Sequence, residues 1–300
     1  MIGISGASGN LGRLTARGIA EHLGDPSDLV LTTRQPDAVA DLVPGAQVRF
    51  SDFDDSSSMT EAFEGLDSLL LISSSTVEGR SEQHAAAIDA AVAAGVGHVI
   101  YTSMLSPGPT NPALISESHW ATEEHLRASD VEHTILRFSL YSDFQVFEAM
   151  DALATGRFVH NRGTGGCSYI AREDCARVAA AVLSGGASHR GKTYELTGPE
   201  SLDAVALAAL YSEAGGREVE AVAVDDDEFL RLLGAENAAG NDDGHVQYGV
   251  ALTVSLGRAI REGHFSAVTT SAEELTGAAP RTVASVLGDS AEMLRAVEPS

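Results

Sequence analysis

Lysine is almost missing from this sequence: among 300 residues only Lys192 is one, and 19 Lys and Arg together face 43 Asp and Glu, a formal charge of −24. Such a chain repels a nucleic-acid backbone and an anionic lipid surface alike, so neither nucleic acid nor membrane is an expected partner. Cysteine is as scarce. Cys167 and Cys175 stand eight apart with no second pair and no nearby His pair, which excludes a disulfide framework and a zinc site and makes both packing residues. No apolar run approaches the roughly 18 residues of a membrane span. Met1 leads straight into a short apolar run ending at Gly6, without the basic flank of an export signal, so the cytoplasm is the expected compartment. What is present is 44% apolar residues, the composition of a chain that folds by itself rather than of an acidic disordered one.

At about 150 residues per domain, the length allows two domains, or one dinucleotide fold with a smaller lobe grown from it. The first 137 residues repeat a short apolar run, a turn and an amphipathic stretch, which is the βα alternation of a parallel sheet. Strands are expected at Ile2–Ser5, Leu29–Thr33, Gln47–Phe50, Ser68–Ile72, His98–Thr102 and Thr134–Arg137, with helices near 10–23, 57–64, 81–94 and 118–129. After Arg137 the rhythm changes: Phe138–Phe147 alternates aromatic and polar residues, and Arg162–Gly166 is glycine-rich. A strand at Ser168–Ala171, a helix over 173–184 capped by Asp174, and a strand at Thr193–Leu196 look like a return to the sheet. Beyond Gly198 the chain is acidic and helix-rich. Asp225–Glu228 reads as a solvated helix N-terminus, where acids favour the macrodipole, and not as a metal site. The stretch 236–247, rich in Asn, Gly and Asp, is expected as a loop near the pocket. The domain division is thus 1–137 with 168–197 returning to it, and a smaller substrate-binding lobe of 138–167 and 198–300.

The segment Gly6-Ala7-Ser8-Gly9-Asn10-Leu11-Gly12 follows the first strand and opens the first helix. Gly6 permits the tight turn, Gly9 lets backbone amides approach a pyrophosphate at the helix N-terminus, and Gly12 allows close helix–strand packing. NAD-specific sites place an acid at the end of the second strand. Here Leu31-Thr32-Thr33-Arg34 puts a guanidinium beside hydroxyls, which suits a 2′-phosphate, so NADP(H) is expected over NAD(H). Asp52 and Phe53 after the third strand are suited to the adenine, and Ser73, Ser74 and Ser75 after the fourth to the ribose and nicotinamide side. All lie at carboxyl ends of parallel strands, the edge where open α/β sheets bind ligands.

With Leu70-Leu-Ile-Ser73-Ser-Ser, Tyr101-Thr102-Ser103, Thr134-Ile-Leu-Arg137, Tyr141-Ser142 and Lys192-Thr-Tyr-Glu-Leu-Thr-Gly198 added to the glycine turn, the sequence resembles the NmrA-like atypical short-chain dehydrogenases/reductases. Within them it resembles the NAD(P)H:quinone oxidoreductase type 2 group, through about its first 200 residues. The resemblance implies a Rossmann-type doubly wound parallel sheet, α/β in class, with a smaller C-terminal α/β lobe closing over the nicotinamide, and it adds Thr102 to the cofactor edge. It also implies Ser103 in the place of the superfamily's catalytic Ser, His119 about where related reductases carry an active-site Lys, and Tyr141 facing the cleft. Arg80, Gln83 and His84 open a helix in a pattern the family shares, His84 as a packing or capping residue. Where the quinone reductases carry Asn-Gly-Trp before Tyr-Ser, this chain has Phe138-Ser139-Leu140, an aromatic residue at a polar pocket position.

Tyrosines stand at 101, 141, 169, 194, 211 and 248 and the single lysine at 192, so no Tyr-x-x-x-Lys pair exists. A carbonyl reductase of that design is disfavoured. A quinone accepts hydride to give a stabilised anion, so positioning carries most of the rate; alternatively His119, titrating near working pH, supplies a proton. The expected function is an NAD(P)H-dependent oxidoreductase acting on a quinone or related aromatic, conjugated carbonyl. A dinucleotide-binding redox sensor without turnover and a tailoring oxidoreductase for a polycyclic aromatic metabolite are the alternatives, and a homodimer stays open.

Overall fold

The computed structural model describes residues 1–76, 79–237 and 244–299. Seven parallel strands form the main sheet: β1 (Ile2–Ile4), β2 (Leu29–Thr33), β3 (Gln47–Phe50), β4 (Ser68–Leu71), β5 (His98–Met104), β6 (Glu132–Phe138) and β8 (Thr193–Leu196), in the order β3-β2-β1-β4-β5-β6-β8. The helices between them are α1 (Asn10–Ala20), α2 (Ser56–Phe63), α3 (Arg80–Ala93), α4 (Ser116–Ala128) and α6 (Arg172–Gly185). The order reverses between β1 and β4, which opens a crevice at the carboxyl ends of the strands.

Single-residue alternation splits the core. Leu70 and Ile100 join the cluster under α1 and α6, whereas their neighbours Leu69, Leu71, Val99 and Tyr101 join the one under α2, α3 and α4. A sheet covered on both faces needs apolar residues at every position, and β5 is buried along its whole length.

The smaller C-terminal part holds α5 (Phe144–Thr155), β7 (Arg157–His160), α7 (Ala204–Gly215), β9 (Glu220–Ala223), α8 (Asp226–Asn237), α9 (Gly244–Arg261), α10 (Ser271–Thr276), α11 (Val283–Asp289) and α12 (Ala291–Arg295). β7 and β9 pair in parallel as a second, two-stranded sheet that the sequence did not announce. Both cysteines are buried and free, and Asp225 caps α8 through the Glu228 amide (2.7 Å), as the charge pattern suggested. The centre of the expected loop at 236–247, residues 238–243, lies outside the described residues, and its flanks belong to α8 and α9. Among the described residues no helix is long and apolar enough to cross a membrane.

Three expectations need correction. Ser168–Ala171 is not a strand of the sheet, because its backbone bonds go to Phe265, Leu140 and Gly198 instead of along one neighbour. Asp174 does not cap α6: it lies inside the first turn, where its carboxylate accepts the Arg281 amide (2.7 Å) and pairs with Arg177. Phe138 ends β6 with 3% of its surface exposed, packed in the core under α1 and α6.

Candidate active site

The glycine turn takes its shape for steric reasons that can be read atom by atom. Gly6 adopts φ +62°, and the Gly9 amide turns back onto the Gly6 carbonyl (2.9 Å). Gly9 then caps α1 without a side chain, and the first amide to bond along the helix is that of Arg13. The amides of Asn10, Leu11 and Gly12 therefore point from the helix end without an intrahelical partner. A Cβ on Gly12 would stand 2.5 Å from the Gly6 oxygen and 2.8 Å from the Ala7 Cα, so only glycine lets the helix start this close to the turn. Free amides at a positive helix end fit a dinucleotide pyrophosphate.

At the end of β2, Thr33 donates to the Ser8 hydroxyl (2.8 Å) and accepts from the Gln35 amide (3.1 Å). Arg34 is exposed and makes no hydrogen bond or ion pair among the described residues. Arg13, which the sequence reading passed over, reaches the same place, its Nε donating to the Ser8 carbonyl (2.9 Å) and one Nη to the Ala38 carbonyl (2.7 Å). Its signal was its position one residue after the last glycine of the turn. Past β3, the Asp52 carboxylate accepts the Asp54 amide (3.2 Å), and the Phe53 ring meets His84 edge-on at 6.2 Å.

The serine turn after β4 is held by β5 and α3. Thr102 accepts the Ser73 amide (2.9 Å), the Ser74 hydroxyl donates to Gln83 (2.9 Å), and the Ser74 amide donates to His84 Nε2 (2.8 Å). From His84 a buried chain continues: its Nδ1 lies 2.9 Å from the Thr122 hydroxyl, and the Tyr101 hydroxyl lies 3.3 Å from that same nitrogen and 2.9 Å from His119 Nδ1. His84 is thus neither plain packing nor a helix cap. Burial pulls its pKa down to about 3, with Arg80 adding to the effect. His119, 5% exposed, is pushed well below the ordinary imidazole range by burial, then by His84 and Arg80. Such a shift favours the neutral ring. Burial likewise raises the Tyr101 phenol above its ordinary value.

Ser103 sits near this chain but is otherwise engaged. Its hydroxyl donates to Glu123 (2.6 Å), a carboxylate that also receives Arg137 through Nε (2.9 Å) and Nη2 (2.6 Å), and Arg127 (2.6 Å). Burial pushes the Glu123 pKa up, but the bonds from Arg137 and Ser103 outweigh it and hold the acid below its usual value. Tyr141 belongs with the other face: it packs against the core under α1 and α6, with the Arg172 guanidinium 4.6 Å from its ring centre. The structure brings His119 together with Tyr101 and His84, and leaves Tyr141 in a different cluster. The overlooked Tyr101 and Thr122 had a signal on α4: its buried stripe is Ser116, His119, Thr122, Glu123 and Leu126, polar where a packed helix normally shows an apolar stripe.

A family profile described as NAD(P)H-binding matches residues 6–185. Quinone oxidoreductase 2 of Escherichia coli strain K12 is 36% identical over 234 residues, 78% of this chain and 81% of that protein. The crystal structure of the NADPH-dependent quinone oxidoreductase QOR2 from Escherichia coli, complexed with NADPH, superposes with a TM-score of 0.88 at 32% identity, covering 98% of this chain and 99% of that one. The triphenylmethane reductase of Citrobacter sp. complexed with NADP(H) gives 0.86 at 28% identity, covering 96% and 99%.

Proposed function

The chain belongs to the NAD(P)H-binding, NmrA-like family of atypical short-chain dehydrogenases/reductases and is an NAD(P)H-dependent oxidoreductase, and from that premise we propose that it reduces quinones or related conjugated aromatic carbonyls with a preference for NADPH. The observation that carries the reading is the neutral, buried His119 hydrogen-bonded to Tyr101. A neutral imidazole is a poor acid but a good fixed donor, and such a donor in a dry site favours charge that develops on a nearby oxygen. A quinone matches this demand, since the anion it forms on reduction is phenolate-like, of ordinary pKa about 10, and needs no strong acid at the moment of transfer. The missing Tyr-x-x-x-Lys pair fits the same substrate.

Bound NADPH supplies the hydride. The amides of Asn10, Leu11 and Gly12 hold its pyrophosphate, and Asp52, Phe53 and the Ser73–Ser75 turn, steadied by Thr102, line the adenine and nicotinamide ends. Arg34, Arg13 and the Ser8 hydroxyl form the 2′-phosphate site, where the absence of an acid removes the usual contact to a bare ribose hydroxyl. His119 donates a hydrogen bond to the substrate oxygen. Ser103 supports the site through Glu123, and Tyr141 with Arg172 borders the cleft on the α1 side.

The test is NADPH oxidation by the purified protein with a simple quinone against an enzyme-free control, run beside NADH and in Arg34→Ala. Saturable turnover is expected, with the NADPH KM raised about 10- to 100-fold in the variant, the worth of one or two charge-assisted hydrogen bonds, and the NADH KM nearly unchanged. Equal losses with both cofactors would refute the 2′-phosphate assignment, and no quinone turnover would refute the substrate class.

A further inference from the structure

A backbone amide donates and cannot accept, and this asymmetry decides the protonation of the whole buried chain. The Ser74 amide lies 2.8 Å from His84 Nε2, so that nitrogen offers its lone pair and the His84 proton is on Nδ1. Protonated Nδ1 donates to the Thr122 hydroxyl at 2.9 Å, and the Thr122 hydroxyl donates to the Ser118 carbonyl at 2.7 Å. Tyr101, 3.3 Å from the same Nδ1, finds no acceptor on His84. The Thr122 hydroxyl beside it already takes the His84 hydrogen bond, and the nearest acceptor left for the Tyr101 O–H is His119 Nδ1 at 2.9 Å. In neutral His119 the proton therefore sits on Nε2, across the ring from the Tyr101 anchor.

We propose that Tyr101 and His84 are positioning residues that hold His119 as its Nε2–H tautomer, so that the serine turn beside the cofactor dictates which nitrogen donates to the substrate oxygen. This rests on the reading of His119 given above. Burial raises the Tyr101 phenol and opposes transfer of its proton to His119, so His119 keeps its hydrogen and acts through a hydrogen bond. The substrate takes two electrons and one hydrogen as hydride, and the second hydrogen enters as a proton from water. The wrong tautomer would turn a lone pair towards the developing oxyanion, replacing attraction with repulsion.

The tautomer can be read without turnover. In protein labelled with 15N-histidine, two-bond 1H–15N correlations are expected to show His119 as Nε2–H in the wild type, with the Nδ1 acceptor signature altered in Tyr101→Phe. Tyr101→Phe is expected to lower kcat about tenfold, the worth of one lost hydrogen bond of about 1.4 kcal/mol, with both KM values within about twofold. Added to His119→Ala, it should cause no further loss, because a residue acting only through His119 has nothing left to act on. His84→Gln, whose amide offers an acceptor to Ser74 and a donor to Thr122, should recover most of the kcat lost in His84→Ala. An Nδ1–H tautomer in the wild type, or an undiminished Tyr101→Phe loss in the His119→Ala background, overturns the proposal. Full kcat in His119→Ala would instead overturn the site reading beneath it, recognisable because the wild-type tautomer would still be Nε2–H.

Discussion

His119 and Glu123 lie one turn apart on α4, both buried against β5, and they are stabilised in opposite ways. Glu123 is 0% exposed and ionised, with two arginines and a serine on its carboxylate. Among the described residues His119 has no acid beside it and escapes the burden of a buried charge by staying neutral, held by one phenol. A buried carboxylate with three partners is committed to holding α4, β5 and β6 together; a neutral ring anchored through Nδ1 has its other nitrogen without a hydrogen bond among the described residues. Buried polar groups on a single helix thus divide into structural and functional by whether their hydrogen-bonding capacity is filled from within.

The largest effect expected from breaking this contrast is on the ionic side. Arg137→Ala strips the main partner from a buried carboxylate and should lower stability by about 3–5 kcal/mol, measured by urea unfolding; a loss below about 1 kcal/mol would mean that Arg127 and Ser103 suffice for Glu123. On the neutral side, His119→Ala should lower kcat about 100-fold, the effect of removing one fixed donor to an oxyanion, with the cofactor KM little changed; steady-state kinetics with NADPH and a simple quinone would check it.

The two clusters also fail in different pH windows. Buried histidines whose folded pKa is depressed contribute stability above the unfolded value of about 6.5, and it is lost as acid protonates the unfolded chain but not the folded one. For His84, with a folded pKa of about 3, and His98, at about 4, the loss runs from pH about 6.5 downwards, at up to about 1.4 kcal/mol per pH unit for each. Glu123, with its pKa lowered, keeps its contribution until the pH falls below the unfolded carboxylate value of about 4.3 and loses it towards its folded value. Urea midpoints between pH 7 and 5 should therefore decline in the wild type and decline less steeply in His84→Gln; parallel slopes would show that His84 does not stay neutral in the fold.

The glycine turn was readable in advance because its requirement is local. Gly6 needs a positive φ and Gly12 a missing Cβ within a few residues of chain, so the motif carries its own geometry. The Tyr101, His84 and Thr122 chain was not, since its members come from β5, α3 and α4 and meet only when the two helices pack on one face of the sheet. Asp174 shows the finer limit: a shift of a few residues separates a cap from a first-turn carboxylate. Ser168–Ala171 has the look of a strand, yet its backbone is claimed by several neighbours of the C-terminal part.

By itself, then, the sequence determined the parallel α/β sheet, the glycine turn at its edge and the want of a Tyr–Lys pair, all of which follow from periodicity, glycine spacing or counting. The tertiary structure alone decided that Ser103 serves Glu123, that Tyr141 lies with the core of the opposite face and that His119 is neutral. Protonation and hydrogen-bond partnership depend on burial and on groups brought together from distant parts of the chain, and neither is written in local order.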